Sequence, residues 1–321
     1  MREIGGYFEL DQFINKPYHN NMIELNTGRN ALAYLIKAKG IKKVYIPHYL
    51  CDSVSGILKM LSVDYEGYSI DKNFNPLFDK ELGNDQYLYI VNYYGQISNS
   101  AIRSFKEQYG AIIIDNTQSF FQKPVQGIDS IYSLRKYFGV PDGAYLKTDR
   151  ILEEKLEEEK SSHRMKHILG RFEGEASTYY NDFKENDESF KMSSLKKMSS
   201  LSQNILGVID YGKVLESRNR NFSYLYDRLN STNILNVKMS EGPFAYPYYA
   251  ENGIEIRKRL AEEKIYVPTL WPNVLSENDK NSIEYDYAAN ILPLPCDQRY
   301  GKEEMDYLIK EVQNCLKKKM Y

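Results

Sequence analysis

From residue 43 onward, short apolar runs alternate with amphipathic stretches of helical period. Lys43-Val-Tyr-Ile-Pro47 is rich in β-formers and closes on a proline, and the spacing after it predicts a helix over 53–61. Residues 62–70 and 86–94 alternate as strands. Residues 99–109 follow with helical spacing and stop at Gly110. Ile112-Ile-Ile is a β-branched run that ends abruptly in Asp115, the pattern of a strand buried on both faces. Residues 130–133 and 143–147 read as two further strands. Strand–helix–strand alternation of this kind predicts a doubly wound, mostly parallel sheet between helices. Downstream, the pattern predicts a Glu/Lys-rich helix over 151–160, a polar stretch over 182–201 and a long helix over 205–229. A helix over 256–264, a strand over 265–268 and a last helix reaching Lys317 complete the reading.

In an open α/β sheet the ligand crevice lies at the carboxyl ends of the strands, so Asp115 and Gln118 point towards it. The next strand delivers Lys136. An acid at one strand end and a lysine after the next suit a pyridoxal phosphate (PLP) site, where the lysine carries the cofactor and the acid pairs with its ring nitrogen. Thr27-Gly28 reads as the capped start of a helix. Such an N-terminus offers unpaired N–H groups and a positive dipole end, and Gly28 admits close approach of an anion. The segment fits either an ordinary capped helix or a phosphate site.

Three pieces in this order, Asp115-Asn-Thr-Gln118, Ser133-Leu-Arg-Lys136 and Pro141-Asp142-Gly143-Ala144, resemble the DegT/StrS-type sugar aminotransferases, a branch of the fold-type-I PLP enzymes. The resemblance is densest over 24–147 and 289–315. It implies a large domain, residues 1–204, with a mostly parallel seven-stranded sheet, and a smaller α/β C-terminal domain, residues 205–321. It implies catalytic roles for Lys136, Asp115 and Gln118, the last bonding the ring hydroxyl. Thr27, Gly28 and Ser133, with Ser130 as second choice, would anchor the phosphate. Arg29 stands where the family has Thr, and either adds a guanidinium to the phosphate or repositions the contact. Leu50-Cys51 replaces the family's usual stacking pair, which leaves Tyr49, His48, Tyr93 and Tyr94 as candidates to cover the ring. Arg218-Asn219-Arg220-Asn221 is similar to the family's Arg-x-x-Asn helix, whereas Lys197-Met198-Ser199 is only a partial echo of its Asn-x-Arg-Met-Ser stretch.

The activity so implied is transfer of an amino group from an amino acid, L-glutamate in the family, to a nucleotide-linked keto sugar, by a homodimer serving amino-sugar or surface polysaccharide synthesis. Relatives that dehydrate sugars often carry His in place of the lysine, so Lys136 favours transamination. The rivals are a PLP-dependent dehydratase or lyase and a non-catalytic relative.

Composition narrows the picture. With 42 basic and 44 acidic residues the net charge is -2, which gives no electrostatic case for nucleic acid or an anionic membrane. No apolar run is long enough to span a bilayer. The three cysteines, Cys51, Cys296 and Cys315, lack metal-like or paired spacing, which fits a reducing cytoplasm. His163 and His167 at i,i+4 on a predicted helix have metal-compatible spacing but no third ligand in register, so no metal is expected. The Glu153–Glu159 run reads as a solvated face.

Overall fold

The computed structural model describes residues 6–13 and 16–317. Its main sheet comprises β1 (Ile23–Leu25), β2 (Lys43–Pro47), β3 (Asp64–Ile70), β4 (Pro76–Leu77), β5 (Gln86–Val91), β6 (Ile112–Asp115), β7 (Asp129–Ser133) and β8 (Ala144–Lys147). They lie in the order β1-β8-β7-β6-β5-β2-β3-β4. β2, β3, β5, β6 and β7 are mutually parallel. β8 opposes β7, and β1 opposes β8, so β1 again points with the parallel set. The two-residue β4 adds a short antiparallel edge to the seven strands expected. The central strands are apolar almost throughout because helices cover both faces, and Leu88, Ile113, Ile114 and Ile131 are fully buried.

Three crossover helices follow the sequence signals. α1 (Gly28–Lys39) starts at Thr27, whose hydroxyl accepts from the Asn30 N–H, and stops at Gly40 with φ 64°. α2 (Asp52–Met60) follows β2, and α3 (Asn99–Tyr109) is capped by Ser98 and closed by Gly110.

After β8 the pattern-based expectations fail in several places, each for a visible reason. Residues 151–160 form no helix. Glu159 turns inward to accept from Asn26 Nδ2 at 3.0 Å, and its N–H donates to the Lys197 carbonyl, so tertiary pairing overrides helix propensity. His163 sits on a 3-10 turn (Ser162–Arg164) and His167 on the separate helix Lys166–Glu173, so the two do not share one helix face. The polar stretch contains a helix, Tyr180–Ser189. The expected helix over 205–229 divides into Ser200–Leu206 and Tyr211–Leu229, with Asp210 recapping the second by accepting from the Lys213 N–H.

Residues 265–268 are irregular. The C-terminal strands are instead β9 (Tyr246–Tyr249) and β10 (Ile291–Leu294), an antiparallel pair. Helices Gly253–Glu262 and Ile283–Asn290 pack against β10 and Tyr211–Leu229 against β9, while Lys302–Lys317 runs against Gly253–Glu262 and Tyr211–Leu229.

Gly253 is required by close approach. A Cβ there would lie 2.6 Å from the Ala289 carbonyl oxygen and 2.7 Å from Asn290 Cα, both backbone atoms. Gly253→Ala therefore lowers stability by roughly 1–3 kcal/mol, seen as a reduced urea midpoint at unchanged slope.

A second prediction concerns the N-terminal arm. His19 is buried against Phe120, with Nε2 at 2.5 Å from the Phe120 carbonyl oxygen. Burial, and secondarily the Lys123 charge, lower its imidazole from 6.5 to about 4, against the raising effect of that carbonyl. The unfolded chain then binds the extra proton in the window between those two values. Stability contributed by neutral His19 is present above about pH 6.5 and is lost towards pH 4, to a total of about 3 kcal/mol. Urea unfolding of wild type and His19→Asn across this window should show the gap between them closing as the pH falls; a gap independent of pH contradicts the assignment.

Candidate functional site

Because β1, β2, β5, β6 and β7 point the same way, their carboxyl ends meet at one edge, joined by the amino end of the opposed β8. Asp115 closes β6 and is 5% exposed. Its Oδ1 accepts from the Thr117 N–H and its Oδ2 from the Tyr89 hydroxyl, each at 2.8 Å. Burial first, and then the Asp115 charge, hold the Tyr89 hydroxyl well above the usual phenol range, so it stays a donor to the carboxylate.

Gln118, 1% exposed, is oriented by the Tyr94 N–H, which donates to its Oε1 at 2.9 Å. Its Nε2 is buried and has no hydrogen-bond partner. A buried amide donor left unpaired costs about 1–3 kcal/mol, so this one is suited to a ligand acceptor. Lys136 stands in the turn after β7, exposed, and its Nζ donates to Thr117 Oγ1 at 3.0 Å. Thr117 thus joins the acid to the lysine, through its N–H on one side and its hydroxyl on the other.

The start of α1 lies beside this group. A Cβ on Gly28 would be 3.7 Å from Thr117 Cγ2 and 3.9 Å from Ile131 Cγ2. Side chains alternate along a strand, so Ser133 shares the Ile131 face and leans towards the α1 N-terminus. Ser130 faces the other side, buried, with its hydroxyl donating to the Ile128 carbonyl at 3.4 Å. It is a strand-interior residue and no anion ligand at this edge.

The backbone here is held by a polar layer. The Gly143 N–H donates to the Asn26 carbonyl at 2.7 Å, and Asn30 Nδ2 donates to Asn26 Oδ1 at 2.9 Å. Gly143 has φ 131°, a conformation that favours glycine. Next to it, the fully buried Asp142 carboxylate accepts from the Ser199 N–H and from the Ser199 and Ser202 hydroxyls. That gives the Met198-Ser199 stretch a structural role at the site.

Two of the residues put forward from sequence are engaged within the chain. Arg29 Nη1 donates to the Phe190 carbonyl at 2.6 Å, so the guanidinium ties down the helix Tyr180–Ser189 segment instead of pointing at the α1 N-terminus. Tyr49 is buried, stacked on Tyr93 at 5.2 Å and 30° and edge-on to Trp271 at 5.1 Å, and Tyr93 donates to its carbonyl. It packs the floor of an aromatic cluster.

Cys51 caps α2, its sulfur accepting from the Ser53 N–H. Burial raises the thiol, while the Ser53 hydrogen bonds and the Lys136 charge act in the opposite direction. Tyr89 and Thr117 went unread; the one signal for Thr117 was its position inside the Asp-x-x-Gln unit. A separate cleft of about 480 Å³, lined by Arg171, Ser177, Lys264, Tyr266, Arg299 and Tyr307 among others, includes none of Asp115, Gln118 and Lys136. Among the described residues, no group of three metal-ligating side chains occurs, and no helix is long and apolar enough to cross a membrane.

No protein-family model matches the sequence, and no curated relative does. Solved structures match over most of the chain. A DegT DnrJ EryC1 StrS aminotransferase from Brucella abortus is 14% identical, covering 92% of this chain and 86% of its own, with a TM-score of 0.62. NtdA from Bacillus subtilis with bound cofactor PMP is 14% identical, covering 95% and 78%, at 0.66. DesI in the presence of its TDP-sugar product is 12% identical, covering 92% and 80%, at 0.65. At such identities the likeness speaks to the fold, and the chain has the PLP-dependent transferase fold of type I that these sugar aminotransferases share.

Proposed function

We propose that this chain is a PLP-dependent aminotransferase moving an amino group from an amino acid, L-glutamate in the first instance, to the keto group of a nucleotide-linked sugar. The observation that carries the reading is the convergence at one sheet edge of a buried carboxylate, an unpaired buried amide donor and an exposed lysine amine. These are Asp115, Gln118 Nε2 and Lys136, with Asp115 and Lys136 both bonded to Thr117. The donor set fits PLP: an acid for the ring nitrogen, an N–H for the ring hydroxyl, an amine for the aldehyde and a helix N-terminus for the phosphate. The bound TDP-sugar product in DesI supports the acceptor class.

Bound there, PLP supplies the electron sink that makes a substrate C–H acidic. The chain's own residues do the rest. Asp115, anchored by Thr117 and Tyr89, holds a proton at the ring nitrogen by charge pairing. Gln118, fixed by the Tyr94 N–H, donates to the ring hydroxyl and sets the ring plane. The N–H groups at Gly28, with the Thr27 and Ser133 hydroxyls, bind the phosphate. Thr27 keeps its capping bond to Asn30 while doing so. Lys136 would hold the cofactor by its amine and would serve as general base and acid for a proton at the substrate carbon. Donor and acceptor use one site in turn, in ping-pong order. The same reading makes 1–204 the cofactor-binding part and 205–321 the smaller part of a cytoplasmic homodimer.

Adding PLP to the purified protein should produce a visible absorbance band that L-glutamate bleaches. Lys136→Ala should form no such band. A band that ignores every amino acid donor moves the reaction to elimination, and no band in the wild type overturns the proposal. Asp115→Asn should still take up the cofactor but turn over roughly 10²-fold more slowly, as on removal of one preorganised electrostatic group. Turnover within a few-fold of wild type would remove Asp115 from the chemistry.

A further inference from the structure

The turn that presents Lys136 is gripped from outside the sheet. Leu134 anchors its near side: the Leu134 N–H donates to the Gly143 carbonyl, and the Tyr137 and Phe138 N–H groups both return to the Leu134 carbonyl. The far side ends in the Tyr137 carbonyl, one residue beyond Lys136. That single oxygen accepts from Gln298 Nε2 at 2.8 Å and from Arg218 Nη2 at 3.4 Å.

Arg218 belongs to the helix Tyr211–Leu229 and is 2% exposed, one of the largest fully buried side chains of the molecule. Its Nε donates to Gln298 Oε1 at 2.8 Å, which fixes the glutamine so that its amide N–H₂ faces Tyr137. Its Nη1 donates to the Pro243 carbonyl at 2.8 Å, and its guanidinium carbon lies 4.3 Å from the Tyr137 ring centroid. One turn along the same helix, Asn221 Nδ2 donates to the Asp297 and Tyr300 carbonyls and holds the loop that carries Gln298.

A buried guanidinium is expensive to desolvate, and such groups are ordinarily paired with a carboxylate. Among the described residues no carboxylate lies in salt-bridge contact with Arg218; its N–H groups go to Gln298 and to two loop carbonyls. A cation and a glutamine converge on the peptide next to the lysine, and the cation also lies over the ring of that same Tyr137. Packing alone would be met more cheaply by apolar side chains.

We propose that Arg218 and Gln298 are positioning residues for Lys136, a clamp that transmits the placement of the helix Tyr211–Leu229 and the 297–300 loop to the orientation of the lysine amine. The inference rests on Lys136 being the reactive lysine. With the Tyr137 peptide held, the turn has one conformation and Nζ is aimed at Thr117. With the clamp loosened, the turn rotates and the amine leaves Thr117. Displacement of the C-terminal layer against the sheet then changes the lysine before any ligand touches it.

The test uses the full chain without added PLP. The rate at which an amine-acylating reagent labels Lys136 is read by peptide mass spectrometry between pH 7 and pH 10, with Lys147 as internal reference. Gln298→Leu removes the clamp's donor while keeping the side-chain volume close. Arg218→Lys keeps the charge and removes the fork. Circular dichroism and the melting temperature establish that each variant is folded. The clamp predicts that Lys136 labelling in folded Gln298→Leu changes at least threefold and that its pH profile moves, with Lys147 unchanged. Should Arg218→Lys fail to fold, Gln298→Leu decides alone. A folded Gln298→Leu with wild-type Lys136 labelling overturns the clamp. The cofactor reading is tested separately by the visible band of the wild type with PLP, so the two can fail independently.

Discussion

Every polar group that matters at this site is where it is because a parallel sheet covered on both faces has no other place for one. Its interior strands read Tyr-Leu-Tyr-Ile-Val and Ile-Ile-Ile, and their backbone polar groups are consumed by the ladder. Side chains able to ionise or to hydrogen-bond a ligand are expelled to the ends. Parallel alignment then gathers the ends of β1, β2, β5, β6 and β7 on one side. Asp115 shows the constraint at its sharpest, as the first polar residue after three isoleucines. It is buried by its neighbours, and the Thr117 N–H and the Tyr89 hydroxyl both point at it.

That edge needs a frame, and the frame is built from distant segments. Asn26, just before α1, bonds Asn30, the Gly143 N–H and Glu159, which joins the first turn of α1 to the start of β8 and to the 151–160 stretch. Asp142 adds Ser199 and Ser202 to the same layer. The segment over 162–190 is tied in through Arg29 to Phe190, and through Arg135 to Asp187 at 3.2 Å and the Phe190 ring at 4.8 Å. Arg135, next to Lys136, therefore serves to hold a covering helix. From the other side, Arg218 and Gln298 fix the peptide after Lys136. The lysine sits between two sets of braces, one on each neighbouring residue.

This arrangement separates rigidity from reactivity. Asp115 and Gln118 belong to the buried edge, each oriented by a backbone N–H, whereas Lys136 rides on a turn whose position depends on elements far along the chain. On the proposed function, a fixed acid and an adjustable amine are a sensible division of labour. The unpaired Gln118 Nε2 fits the same picture, since a donor reserved for a ligand has no reason to be satisfied inside the chain.

What the sequence by itself determined is local and periodic. The alternation over 43–147, the helix signals at Thr27 and Gly110, and the abrupt polar end of Ile112–Asp115 specify the sheet and its chemical edge. In these segments local preference and burial agree, so a short window suffices. The tertiary structure alone decided the rest. Residues 151–160 carry helix-forming Glu and Lys, yet they stay irregular because Glu159 bonds Asn26 and the Lys197 backbone. The C-terminal strands fell to Tyr246–Tyr249, a prolyl tetrapeptide with weak local signal, because it faces Ile291–Leu294. Arg29 stands where the resembling family has Thr, but its Nη1 donates to the Phe190 carbonyl, 161 residues away along the chain, which Ser193 also engages. Long-range hydrogen bonds leave no mark in a sequence window, and they are what turned this edge into a site.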